Sequence, residues 1–251
     1  MAAEGGGIDA LSQFELTTVL GPVGAAVGFT QANAWMVFAG VLITLMLVVG
    51  VRSRALVPGR MQALAEISYE SVMGMVEQQV GHEGRRYFPF IFTLFFFILF
   101  GNMLGLLPYA FTFTSHIAIT VALALIVFIL TTGVALARHG MHFFSYFFPP
   151  GAPAALAPLI IPIEIISYLS RVVSLSVRLF ANMVAGHVML KVFATFVVML
   201  GSAGVVGVIG AAFPLAINIV LIGFELLVAA LQAYVFAILA CIYLHDAVHL
   251  H

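Results

Sequence analysis

The stretch Ile160 to Leu200, IIPIEIISYLSRVVSLSVRLFANMVAGHVMLKVFATFVVML, decides the fold. It is apolar almost throughout, has neither Gly nor Pro between Pro162 and Gly186, and meets its first turn signal at Gly201-Ser202-Ala203-Gly204. That pattern predicts one long helix. At ~1.5 Å per residue it is roughly 60 Å long, about twice the ~30 Å hydrocarbon core of a bilayer, so a strongly tilted path is expected. Inside it sit Glu164, Arg171, Arg178, His187 and Lys191. Arg178 lies about 27 Å and 33 Å from the two ends, too far for its side chain to reach water from an upright helix. A charge at that depth costs at least ~2.5 to 3.5 kcal/mol, which makes a functional role the default reading.

The rest of the chain has the same character. Of its 251 residues, 63% are hydrophobic, only 8% are charged and 23 are Phe. These values exclude an ordinary soluble domain and predict an all-α polytopic protein forming a single membrane domain, residues 1–251. A net charge of -1 leaves no basic surface for nucleic acid. Cys241 is alone, so no internal disulfide can form. The N-terminus carries Glu4, Asp9 and Glu15 with no Lys or Arg before Arg52, and it reads as neither a cleaved secretory signal nor a transit peptide.

Five membrane crossings are expected. Residues 1–33 form an outer segment with a short interfacial helix near Ile8 to Val19. The first span, 34–51, has Trp35 at one interface and Arg52, Arg54 and Arg60 just past the other, the side the positive-inside rule assigns to the cytoplasm. Residues 61–81 set Met61, Leu64, Ala65, Val72, Met75 and Val76 against Glu66, Glu70, Glu77 and Gln78 at helical spacing, which predicts an amphipathic helix on the inner surface. The second span, 88–107, stops at Pro108. Its Gly101 and Gly105 match a small-residue packing spacing, and Asn102 reads either as an interhelical hydrogen bond or as part of a water path. A loop from Tyr109 to His116, with His116 read as exposed, leads to the third span, 117–137. That span ends inside at Arg138 and His139. Pro149, Pro150 and Pro153 then break the chain before the long helix 159–200. The last helix, 205–246, contains Pro214 near an expected bend and carries Asn218, Glu225 and Gln232 seven apart on one face. The N-terminus is expected outside and the C-terminus inside.

Glu164, Arg171 and Arg178 are also seven apart, so each of the last two helices has a polar stripe along its axis. Folded as an antiparallel hairpin about residue 205, the helices put Arg178 level with Gln232, Glu164 with Asp246, and His187 with Glu225. The first pair lies near mid-membrane, His187 and Glu225 lie ~10 to 14 Å towards the outside, and Glu164 and Asp246 lie towards the inside. Imidazole and carboxylate groups exchange protons near neutral pH, whereas a guanidinium with a pKa above ~12 does not. A fixed charge between two proton-exchanging regions makes a poor through-pore. It suits a device that hands protons to a partner between two half-channels. Arg171 is expected to face lipid headgroups or a partner surface, and Lys191 to be interfacial or hydrated.

The residues Ser174-Leu175-Ser176-Val177-Arg178-Leu179-Phe180-Ala181-Asn182-Met183-Val184-Ala185-Gly186-His187, with Glu225, Leu231-Gln232-Ala233-Tyr234-Val235-Phe236 and the terminal Tyr243-Leu244-His245-Asp246, resemble subunit a of the proton-translocating rotary ATP synthase. The likeness extends over most of the chain, from Phe14 through Tyr69 to Gly81, and from Gly101 to Pro108. The Gly-His ending and the placing of Glu225 resemble the bacterial form nearest mitochondria. The resemblance implies a stator subunit in the bacterial inner membrane, packed against a rotating ring of small c-type hairpin subunits and against b-type peripheral-stalk subunits. It implies that Arg178 attracts the ionised ring carboxylate and blocks leakage, that His187, Glu225, Asn182 and Gln232 belong to an outer half-channel, and that Glu164 and Asp246 belong to an inner one. No cofactor is implied, and nucleotide chemistry belongs to other subunits, since no phosphate-binding Gly-x4-Gly-Lys-Ser/Thr loop is present.

Two other classes compete. His139, His142, His245, Asp246, His249 and His251 all fall on the expected inner side and raise a membrane metal site, with His245 and His249 at the i,i+4 spacing that can share an ion. A self-contained proton-coupled secondary transporter is the other, and inverted repeats or broken helices around a midplane site would mark it.

Overall fold

The computed structural model describes residues 14–18, 28–52, 58–107, 110–147 and 156–249. Six helices follow in order: α1 Gln31–Arg52, α2 Arg60–Val80, α3 Phe88–Gly105, α4 Ile117–His139, α5 Ala157–Gly201 and α6 Val205–Val248. Short 3-10 turns at His82–Tyr87, Phe113–Ser115 and Gly140–Phe147 join or extend them. All except α2 are long and apolar enough to cross a membrane. Among the described residues the one non-helical pairing is an isolated bridge between Thr18 and Thr30. The chain is an all-α polytopic membrane protein.

The core lies where α3 meets the second half of α6. Ala229, Ala233, Ala237 and Ala240 recur every three or four residues and are wholly buried, a stripe of small side chains that lets helices approach closely. Phe236 and Leu244 fill the space between them and are equally buried. α3 is apolar all round and has buried residues on several sides, from Ile91 and Phe92 to Phe96 and Ile98, as expected of a helix wrapped by others. α5 is the opposite case. Of its 45 residues only Leu175, Ser176, Leu179 and Met183 are buried. It packs along α6 as the second arm of a hairpin, closed by a turn in which Gly204 takes φ +86°, a conformation that favours glycine.

Several expectations change. Of the two readings of Asn102, the interhelical hydrogen bond is present: the residue is fully buried, its Nδ2 donates to the Ala229 carbonyl at 3.3 Å, and the Thr114 hydroxyl donates to its Oδ1 at 2.8 Å. Gly101 and Gly105 face not another helix but the loop before α4, because a Cβ at either position would strike Phe113 or Thr112. In α2, Ala65, Val72, Met75 and Val76 are buried while Met61 and Leu64 stay exposed. The interfacial helix expected at Ile8 to Val19 lies largely outside the described residues. Its described part, 14–18, is not α-helical, and the Thr17 carbonyl accepts from the Gln31 N–H at 2.9 Å. Arg54, Pro108, Tyr109, Pro149, Pro150, Pro153 and His251 also lie outside the described residues. At the end of α4, Arg138 pairs with Glu83 in the turn before α3, which brings these two helix ends together.

Candidate functional site

The polar residues of α5 and α6 sort into three groups by the side chains they meet. Nearest the hairpin turn, His187 Nδ1 approaches Glu225 Oε1 to 2.7 Å, with 12% and 4% of the side chains exposed. The two atoms are in ion-pair contact but not aligned as a hydrogen bond, and Glu225 Oε2 is buried without a hydrogen-bond partner among the described residues. Gly186 makes this approach possible, because a Cβ there would sit 2.6 Å from Glu225 Oε1. On the other side of the ring, His187 Nε2 lies 2.7 Å from Thr112 Oγ1 and 3.1 Å from the Gly105 carbonyl oxygen.

One to two turns further along α5, Asn182 Nδ2 donates to Gln232 Oε1 at 2.8 Å. Gln232 therefore meets Asn182, one turn from the Arg178 level expected for it. Its own Nε2 is buried and unpartnered among the described residues. Arg178 lies on the outward face of α5, exposed, and among the described residues its one hydrogen-bond partner is the Ser174 hydroxyl at 3.5 Å. Around it that face is low: Ser167, Ser170, Ser174, Ala181 and Ala185 are all exposed there.

At the far end the expected levels slip. Asp246 meets Arg171 rather than Glu164, with Arg171 Nη1 3.2 Å from Asp246 Oδ2. Arg171, expected to face lipid headgroups or a partner surface, instead meets groups of its own chain. Its Nη2 donates to the Tyr146 hydroxyl at 2.6 Å, and its guanidinium lies 5.8, 5.2 and 4.9 Å from the ring centres of Tyr146, Tyr168 and Tyr243. Three aromatic faces and a carboxylate hold the cation in place, each favourable to a guanidinium. Burial pushes the Tyr146 phenol above its ordinary pKa, so it stays a neutral acceptor for Arg171. Glu164 is half-buried with no ion-pair partner among the described residues.

Reading the sequence missed Thr112 and the tyrosine cage. The signal for Thr112 is a run of hydroxyls among aromatics, Phe111-Thr112-Phe113-Thr114-Ser115, every one of them buried although the run is a loop. His116 is half-buried, not exposed: its ring stacks on Phe111 at 5.2 Å, and burial pulls its imidazole below the ordinary pKa. Among the described residues no three His, Cys, Asp or Glu side chains gather as a metal-binding set; His245 and His249 simply lie ring against ring at 4.6 Å.

Comparison with known proteins identifies the family of the chain. The family model described as ATP synthase A chain matches residues 33–245. The ATP synthase subunit a of Granulibacter bethesdensis is 64% identical over 245 residues, covering 97% of this chain and 98% of that protein. The same subunit of Acidiphilium cryptum is 61% identical over 250 residues, covering 99% of this chain and all of its own length (100%). That of Rhodospirillum rubrum is 54% identical over 228 residues, covering 91% and 92%. Likeness along nearly the whole chain leads to one conclusion: the chain belongs to the ATP synthase A chain family.

Proposed function

We propose that this membrane-sector subunit of a bacterial ATP synthase carries protons through two offset half-channels to and from a carboxylate on a rotating ring of c-type subunits. His187 and Glu225, with Asn182 and Gln232 beside the junction, form the outer half-channel. Glu164 and Asp246 line the inner one, where Asp246 is held against Arg171 and Glu164 has no ion-pair partner among the described residues. The N-terminus is periplasmic and the C-terminus cytoplasmic, in the inner membrane, and b-type subunits hold the chain still against the ring.

The observation that carries this reading is the place of Arg178. A guanidinium on the outward face of a membrane helix, answered among the described residues only by a serine hydroxyl at 3.5 Å, calls for a counter-charge from a neighbouring subunit. A carboxylate passing on a ring supplies one. Nine residues, ~13.5 Å along the helix, separate Arg178 from His187, so the proton-exchanging pair and the fixed cation sit at different depths. The buried, unpartnered Glu225 Oε2 and Gln232 Nε2 favour hydration along that path, since buried polar atoms are seldom left unmet. The ring acid must be neutral before it turns to lipid, where an ionised acid costs ~2.5 kcal/mol or more, and this ties rotation to proton transfer. The membrane potential adds ~2.3 kcal/mol per proton per 100 mV.

Arg178→Ala tests the reading. Proton-driven ATP synthesis is expected to vanish while the complex still assembles in the membrane. Synthesis near the wild-type rate would overturn the central role of this arginine.

A further inference from the structure

Thr112 belongs to the loop between α3 and α4, outside the hairpin, yet its hydroxyl touches the ring of His187 at Nε2, the nitrogen remote from Glu225. The same nitrogen faces the Gly105 carbonyl. These two neighbours are chemically unlike. A carbonyl only accepts, so it bonds Nε2 when that nitrogen carries a proton; a hydroxyl also donates, so it bonds Nε2 when the nitrogen is bare. The Glu225 carboxylate beside Nδ1 favours a proton on that nitrogen in both states. The neutral ring therefore takes the Thr112 O–H at Nε2, and the imidazolium gives its Nε2–H to Gly105. Each protonation state of His187 has a ready partner within 3.1 Å. Thr112 is itself fixed: 4% exposed, and packed so closely on Gly105 that any side chain there would collide with it.

We propose that Thr112 is the proton-relay residue of His187. Its hydroxyl passes its proton to Nε2 and takes another from a hydrated proton on its outer side. One O–H bond breaks as the N–H bond forms, a second O–H bond replaces the first, a water molecule is left behind, and the positive charge moves to the imidazolium held by the Gly105 carbonyl. This rests on His187 and Glu225 serving the outer half-channel.

The test uses complete ATP synthase reconstituted in liposomes, with ATP synthesis driven by an imposed proton gradient and potential. Thr112→Val keeps the shape and removes the hydroxyl, and it is expected to slow synthesis by about tenfold or more, in line with the loss of a proton-transfer group. Thr112→Ser keeps the hydroxyl and removes the methyl, and it should stay within about twofold of wild type if the hydroxyl is what matters. The reverse pattern, an active Val variant and an impaired Ser variant, means Thr112 only packs and overturns the proposal. Should the Val variant fail to assemble, Thr112→Ala must show the same loss in assembled complex, and full activity there overturns the proposal equally. Glu225→Gln is measured alongside. If it is inactive while Thr112→Val is active, the relay alone is wrong; if it is fully active, the half-channel reading itself fails.

Discussion

Glu225 and Asp246 stand on the same helix, three seven-residue steps apart, and each meets a nitrogen base of α5. What they meet differs. Glu225 faces an imidazole, a base whose charge changes near neutral pH, and is 4% exposed. Asp246 faces a guanidinium that never gives up its proton, is 34% exposed, and shares its partner with three tyrosine rings. A carboxylate opposite a titratable base can trade a proton with it. One opposite a permanent cation faces a partner with no proton to trade. Two similar acids on one stripe thus face chemically different partners.

The contrast is open to direct attack. The largest effect is expected when the two acids are neutralised in parallel: Glu225→Gln should lower ATP-driven proton pumping in membrane vesicles by about tenfold or more, and Asp246→Asn by no more than a few fold. Equal losses would erase the distinction between the pairs. An intermediate effect is expected from Gly186→Ala, whose new methyl falls 2.6 Å from Glu225 Oε1 and must push the carboxylate off His187. Pumping should drop severalfold while Ala at the open position Gly133 has no such effect. The smallest concerns stability. Arg171→Gln strands Asp246 among the tyrosines, and because both partners are partly exposed the loss should be ~1 to 2 kcal/mol, below that for a fully buried pair. Adding Asp246→Asn should recover part of the lost thermal stability of the detergent-purified complex, and no recovery would mean that the pair is not coupled.

The membrane fold was legible because its cause is local: long apolar runs ending at Arg52, Arg138 or Gly201 each force a helix. The pairing of His187 with Glu225 was legible for a related reason, since a tight turn near residue 205 constrains where two straight helices meet. That constraint weakens with distance from the turn. Gln232 meets Asn182 and Asp246 meets Arg171, each a turn or more from the level a strict register assigns. The tyrosine cage draws Tyr146 from the turn after α4, Tyr168 from α5 and Tyr243 from α6, and nothing in the spacing of three tyrosines announces that they share one cation. Thr112 is the clearest case. A threonine in a loop carries no periodic signal, and its contact with His187 joins residues 75 apart in the chain.

The low outward face of α5 has a mechanical consequence. Helices that interlock do so by seating ridges of large side chains in one another's grooves, and withdrawing those ridges costs the dispersion contacts they made. Serine and alanine on either side of Arg178 offer almost no teeth to engage. If the ring proposed above sweeps past this surface, it meets little friction at every step but one, where a charged stud rises from a smooth bearing.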